Sequence, residues 1–344
     1  MKIIRLQFLL AAFILVPALS FSQTTSMGGR GLFRTLSAEN VQTSQLYFNT
    51  YFASFLEPNK VRKDLGQDHT VTVGLTLGIS RHLEFMAMLT PYQDDQASIW
   101  APPGDTQLGL KFQTPFSGSV IKTAVHLFTR LPTAKRHNVQ FEPFSSGKVT
   151  AALLGILSLD LTDSFPLLPL KIHANFGYMD HDLPGDPFSG IDDQFIIRSG
   201  LKFPIRSTVF FTEYSAEVFA NNPLIDEYSL NSQRLTQGIK FLGPWSTVMD
   251  LVVDFSLSKK SIVPVLPYIK DYADWKIIFG VNYQMRLKRA TKRTRAKRLV
   301  DEKEMRRIEK MEEILDKRQE ANEEMRRMEE SLQNKKSKEK KENN

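Results

Sequence analysis

Charged residues in the second half of the chain fall in groups whose members are an even number of residues apart, and the sign changes from one group to the next. Arg198 and Lys202 are followed by Glu213 and Glu217, then Arg234 and Lys240, then Asp250 and Asp254, then Lys276. Even spacing places side chains on one face of an extended strand. If successive strands lie side by side, each acidic strand is flanked by two basic ones. Opposite charges across such a ladder contribute about 0.2–1 kcal/mol each. Their chemistry is that of a charge-compensated polar lining, in which each ion keeps its neighbour solvated where water is scarce. A second group, Lys111, Lys122, Arg130 and Lys171 with His126 and His173, is more basic and is relieved by Glu84, Asp105 and Asp160. In an open passage that stripe would favour anions.

Reactive chemistry is thinly represented. There is no Cys, which removes disulfides, thiolate metal sites and cysteine nucleophiles. Walker, HExxH and GxSxG motifs are absent. The glycines of GGRG at 28–31 have neither a strand pattern before them nor a helix pattern after them. The cluster MDHDLPGD at 179–186 offers Asp180, His181, Asp182 and Asp186, and it reads as an Asp- and Pro-rich turn rather than a calcium loop. No catalytic residue, cofactor or metal site is expected. A barrel hydrolase acting on lipid or peptide is the residual enzymatic alternative.

The elements that must position these residues alternate with period two. Val71, Val73, Leu75, Leu77 and Ile79 oppose Thr72, Gly74, Thr76 and Gly78, and Trp275, Ile277, Phe279, Val281 and Tyr283 oppose Lys276, Gly280, Asn282 and Gln284. Twelve such runs are predicted, at about 43–56, 69–80, 82–91, 105–115, 119–131, 149–161, 167–179, 193–204, 207–219, 232–242, 246–258 and 273–285. Runs of ten or more residues are long enough to cross an outer membrane at a tilt. A sheet in lipid must close so that every backbone group is paired. The expected fold is therefore all-β: a closed antiparallel transmembrane barrel, apolar outside and polar inside. Short links at 80–82, 116–118, 204–207 and 243–245, with the middling 162–166, alternate with longer ones. This is the asymmetry of bacterial barrels, and it predicts that both termini are periplasmic.

The ends of the chain read differently. Lys2 and Arg5 precede an apolar run from Leu6 to Leu19 and a small-residue exit, the pattern of a secretory signal peptide cleaved before Gln23. Residues 23–42 are expected to be a periplasmic segment. The net charge of +7 resides in the tail. Arg286, Lys288, Arg289, Lys292, Arg293, Arg295, Lys297 and Arg298 form a basic linker over 286–298, suited to anionic lipid headgroups. A charged helix is predicted over 299–334, with 335–344 disordered. Met311, Ile314, Ala321, Met325, Met328 and Leu332 make a weak heptad stripe able to pair with a periplasmic protein or another copy. Export and a charge-balanced middle argue against nucleic acid as a partner.

GGRGLFRTLSAENV (28–41), GLTLGISRHLEFMAMLTPY and GDTQLGLKFQTPF together resemble outer-membrane barrels grouped with the phenol-degradation (MetA-pathway) transporter-like proteins. The resemblance covers roughly Gly28 to Phe116. It implies a closed outer-membrane barrel with a transport role, mostly unassigned substrates and no catalytic motif. The expected function is restricted or gated passage of small solutes, with a structural barrel anchoring a periplasmic helix as the alternative.

Overall fold

The computed structural model describes residues 23–58, 65–94, 102–115, 118, 120–162, 169–185, 188–205, 207–259, 267–269 and 272–287. The signal peptide and everything beyond Leu287, including Lys288, Arg289, Lys292, Arg293, Arg295, Lys297 and Arg298, the helix predicted at 299–334 and its stripe, lie outside these residues. Twelve strands follow in chain order: β1 (Gln45–Pro58), β2 (Leu65–Gly78), β3 (Leu83–Gln93), β4 (Thr106–Gln113), β5 (Ile121–Leu131), β6 (Thr150–Asp160), β7 (Lys171–Asp180), β8 (Gln194–Ile205), β9 (Thr208–Phe219), β10 (Ser232–Leu242), β11 (Thr247–Ser256) and β12 (Trp275–Arg286). Each pairs antiparallel with its neighbours in sequence. β12 returns to β1 along a register from Gln45↔Arg286 to Ser54↔Ile277, which closes the barrel.

All twelve predicted runs are strands, because period-two alternation survives only where one face meets a different medium from the other. The outward face is apolar. Leu127, Leu153 and Phe176 are 54%, 56% and 60% exposed, and Phe48, Phe52, Phe210, Leu251 and Phe279 share that face. Glu84, Lys111, Arg198, Glu213, Arg234, Lys240, Asp250, Asp254 and Lys276 are buried in the interior. The links depart from strict alternation: 161–170 is longer than 59–64, because β1 and β2 extend as a long hairpin.

The interior holds the main correction. Residues 23–41, within the 23–42 expected to be a periplasmic segment, lie inside the barrel as a plug. Two successive turns fold the segment on itself, with bridges Thr24↔Arg30 and Gly31↔Leu36. Gly28 and Gly29 both adopt φ of +80°, and a Cβ on Gly29 would stand 2.2 Å from Met86 Sδ. The glycines of GGRG thus make a tight turn against the wall rather than cradle a phosphate. At the long-loop end, residues 132–149 fold over the opening. Phe144 is buried against His181, Phe219 and Tyr268, with ring centroids 5.1, 5.1 and 5.8 Å away, and Phe141 bridges to Tyr272.

Candidate functional site

The site is the lumen wall and the segment it holds. A segment taken out of water must find a partner for each N–H and C=O, and inward side chains supply them. Glu213 on β9 accepts N–H bonds from Phe33, Arg34 and Thr35 at 2.5, 2.8 and 3.4 Å. Asn175 on β7 accepts the Leu36 N–H at 2.7 Å and donates to the Leu36 carbonyl at 2.9 Å. Ser158 on β6 accepts the Ala38 N–H at 2.8 Å. Glu84 on β3 accepts from Val41 at 2.6 Å and from Arg30 at 3.2 Å. Lys111 donates to the carbonyls of Ser37 and Glu39 at 3.0 and 2.9 Å. Lys240 donates to the Thr24 carbonyl at 3.1 Å.

Two plug side chains make ion pairs with the wall. The Arg34 guanidinium donates to both carboxylate oxygens of Asp254 at 2.8 Å and to Thr236 Oγ1 at 2.9 Å. Glu39 pairs with Lys122 and, within the plug, with Arg30 at 2.9 Å. Arg30 foremost, with Lys171 and Lys122, holds the Glu39 carboxyl well below the usual carboxylate range against the opposing effect of burial.

The inward charges of β8 to β12 pair partly across the ladder and partly with groups from elsewhere in the lumen. Lys240 pairs with Asp250 at 2.7 Å, directly across the ladder. Arg234 pairs with Asp254 at 3.0 Å, and Arg198 with Glu217 at 3.5 Å. Lys276 lies in register with Asp254 but turns instead to Asp68 on β2 and to Glu142 of the folded-in loop, the latter at 2.8 Å. Asp254 is already occupied by Arg34 and Arg234. Among the described residues, Lys202 has no ion pair. The basic stripe does not face open solution either. Lys111 pairs with Glu84 at 3.1 Å, Lys171 with Asp160, and Arg130 donates to the Phe144 carbonyl at 3.3 Å. Lys111, Lys122 and Lys171 are each paired with an acid of the wall or plug.

Sequence reasoning missed the whole of 23–41 as a site, together with Asn175, Ser158, Tyr51, Asn49 and Thr76. These are uncharged inward positions of strands, and each makes a hydrogen bond to the plug. The available signal was GGRGLFRTLSAENV itself: a segment rich in Gly and polar residues, without period two, next to a barrel wide enough to need filling. Ser158 also meets His173, with Oγ 2.8 Å from Nδ1. That contact is buried under the plug, and Ser158 Oγ is already held by Ala38. In the 179–186 cluster, Asp182 pairs with Lys148 at 2.6 Å and Asp180 accepts the Asp182 N–H at 2.9 Å, which is turn chemistry. Between the tip of the plug and the folded-in loop lies a cavity of about 20 Å³, room for about one water molecule. Arg34, Pro143, Glu217 and Arg234 are among its lining residues.

In fold the chain is similar to the KdgM porin (6% identity, 69% of this chain and 98% of that one covered, TM-score 0.45). It is also similar to an outer membrane channel from Pseudomonas putida F1 (8% identity, 72% and 98% covered, TM-score 0.49) and to the NanC porin (11% identity, 69% and 100% covered, TM-score 0.45). No family model and no curated protein matches the chain.

Proposed function

We propose that the chain is a bacterial outer-membrane barrel giving gated passage to small solutes, with residues 23–41 as the gate and both termini in the periplasm. The observation that carries this reading is the chemistry of the contact between segment and wall. Beside two apolar clusters, in which Leu32 and Phe33 and then Leu36 and Ala38 pack on the wall, it is built of ion pairs and hydrogen bonds from inward side chains. Polar surfaces can exchange each other for water at small net cost, since a hydrogen bond made on folding replaces one made to solvent. A lumen lined by Lys, Arg, Asp and Glu is therefore stable when wet as well as when filled. An interior designed only to be solid would be apolar. The apolar belt supports the membrane location, and the resemblance of residues 28–116 to phenol-degradation transporter-like barrels belongs to the same proposal.

A second reading, a structural barrel anchoring a periplasmic helix, draws support from the occupied lumen. In it the basic residues 286–298 rest on lipid headgroups and the stripe from Met311 to Leu332 binds a partner. Single-channel recording in planar bilayers separates the two. Gated passage predicts rare openings in the parent and frequent ones in Arg34→Ala or Glu213→Gln. Silence in all three, with a protein recovered by cross-linking from 300–332, supports the anchor instead.

A further inference from the structure

The wall contacts follow an order that a mere stopper does not require. As the plug runs from Phe33 to Val41, its contacts move round the inner wall from β9 to β3, with Arg34 also reaching β10 and β11 and the Ser37 carbonyl reaching ahead to β4. Phe33, Arg34 and Thr35 reach β9 through Glu213, and the Arg34 carbonyl reaches β8 through Arg198 at 3.3 Å. Leu36 reaches β7 through Asn175, and Ala38 reaches β6 through Ser158. The Glu39 side chain then meets Lys122 on β5, its carbonyl meets Lys111 on β4, and Val41 meets Glu84 on β3. Nine residues, the first of them in the turn closed by Gly31 and Leu36, thus contact seven neighbouring strands.

Most of these contacts read main chain. Asn175 takes both the N–H and the C=O of one residue, Glu213 takes three consecutive N–H groups, and Lys111 takes two carbonyls. Such groups recognise any peptide and leave side-chain preference to two places, the Asp254 pocket that holds Arg34 and the Lys122 position that holds Glu39. Sugars and aromatic solutes offer no repeating pattern of N–H and C=O at this pitch.

We propose that the inner wall from β9 round to β3 is a binding track for the main chain of an unstructured oligopeptide of about nine residues, and that the N-terminal segment occupies it as a stand-in. The inference rests on the gated-passage reading, because a free peptide enters only when the segment leaves. A basic residue five positions ahead of an acidic one suits the two side-chain positions.

The test uses the full-length chain carrying Arg34→Ala, in planar bilayers, with four probes. These are the peptide FRTLSAENV, a version with its other residues permuted but Arg and Glu kept in place, a version N-methylated at the Arg, Leu and Ala amides, and a maltooligosaccharide of similar mass. The first two are expected to block current for similar times. N-methylation removes the bonds to Glu213, Asn175 and Ser158 and is expected to shorten the block at least about tenfold. Asn175→Ala in the same background is expected to shorten it for both active peptides. Equal block by the methylated peptide or the sugar overturns the track. So does block by the native order alone, which would make the wall a fitted seat for its own segment. A second measurement separates the failures: full-length Ser37→Cys is labelled with maleimide while peptide is added. Current without peptide block leaves the gate standing and sinks the track. Peptide-driven labelling without current leaves the track standing and sinks passage. Neither current nor labelling overturns both.

Discussion

Replacing Arg34 by Ala tests how firmly the plug is held. The guanidinium makes two 2.8 Å bonds to Asp254 and one of 2.9 Å to Thr236. Removing one partner of a buried ion pair costs about 3–5 kcal/mol, mostly from the charge left behind. Two features reduce that figure here. Asp254 keeps Arg234 at 3.0 Å and the Thr236 hydroxyl at 2.7 Å, and the Arg34 side chain is 22% exposed. The expected loss is about 2 kcal/mol, or roughly a 30-fold rise in the population with the plug released, since each 1.4 kcal/mol is about tenfold. The assay is direct because the chain has no Cys. In a Ser37→Cys background, position 37 is buried under the wall, and the rate of maleimide labelling follows the released population. Arg34→Ala is expected to raise that rate about 30-fold. Asp254→Asn is expected to raise it further, because Arg34 and Arg234 then both lose their anion. Lys148→Ala removes an exposed pair with Asp182 and is expected to leave the rate unchanged. A rate for Arg34→Ala within about twofold of the parent, or a rise for Lys148→Ala of the same size, would refute the assignment of Arg34 as the latch.

Three more outcomes follow from the same geometry. Lys240 is fully buried between Asp250 and the Thr24 carbonyl, so Lys240→Met is expected to destabilise the barrel by about 3–5 kcal/mol, seen as a lower transition in heat-modified gel mobility. Phe176→Arg on the outer face should cost about 2–4 kcal/mol if that face meets hydrocarbon, whereas Leu183→Arg in a loop should cost almost nothing. Equal refolding yields into lipid vesicles would deny the belt. The third concerns pH. Burial alone would raise the Glu142 carboxyl, but Lys276 and the Thr70 hydroxyl outweigh it and hold it below the usual range. A lowered acid contributes stability that is present above its unfolded value, near 4.3, and is lost as pH falls through the folded one. The loop over the opening should therefore stay shut at pH 5, as read by protease cleavage within 132–149, while Glu142→Gln opens it at pH 7.

The sequence by itself determined the barrel, its twelve strands and which side chains face inward. These are local properties. Alternation is set by adjacent residues, and any slip by one residue would turn Glu213 or Asp254 to the apolar outer face. Only the tertiary structure decided what those inward residues do. The plug has no period of its own, and its partners lie far along the chain, as Thr24 meets Asn282 and Arg34 meets Asp254. Lys276 shows the same limit from the other side: strand order placed it opposite Asp254, yet the arrival of Arg34 and of the loop bearing Glu142 sent it elsewhere. Ion pairs in a lumen are chosen by reach and competition among all groups that project into one space. That competition depends on how the cylinder closes and what fills it, which no pattern along the chain encodes.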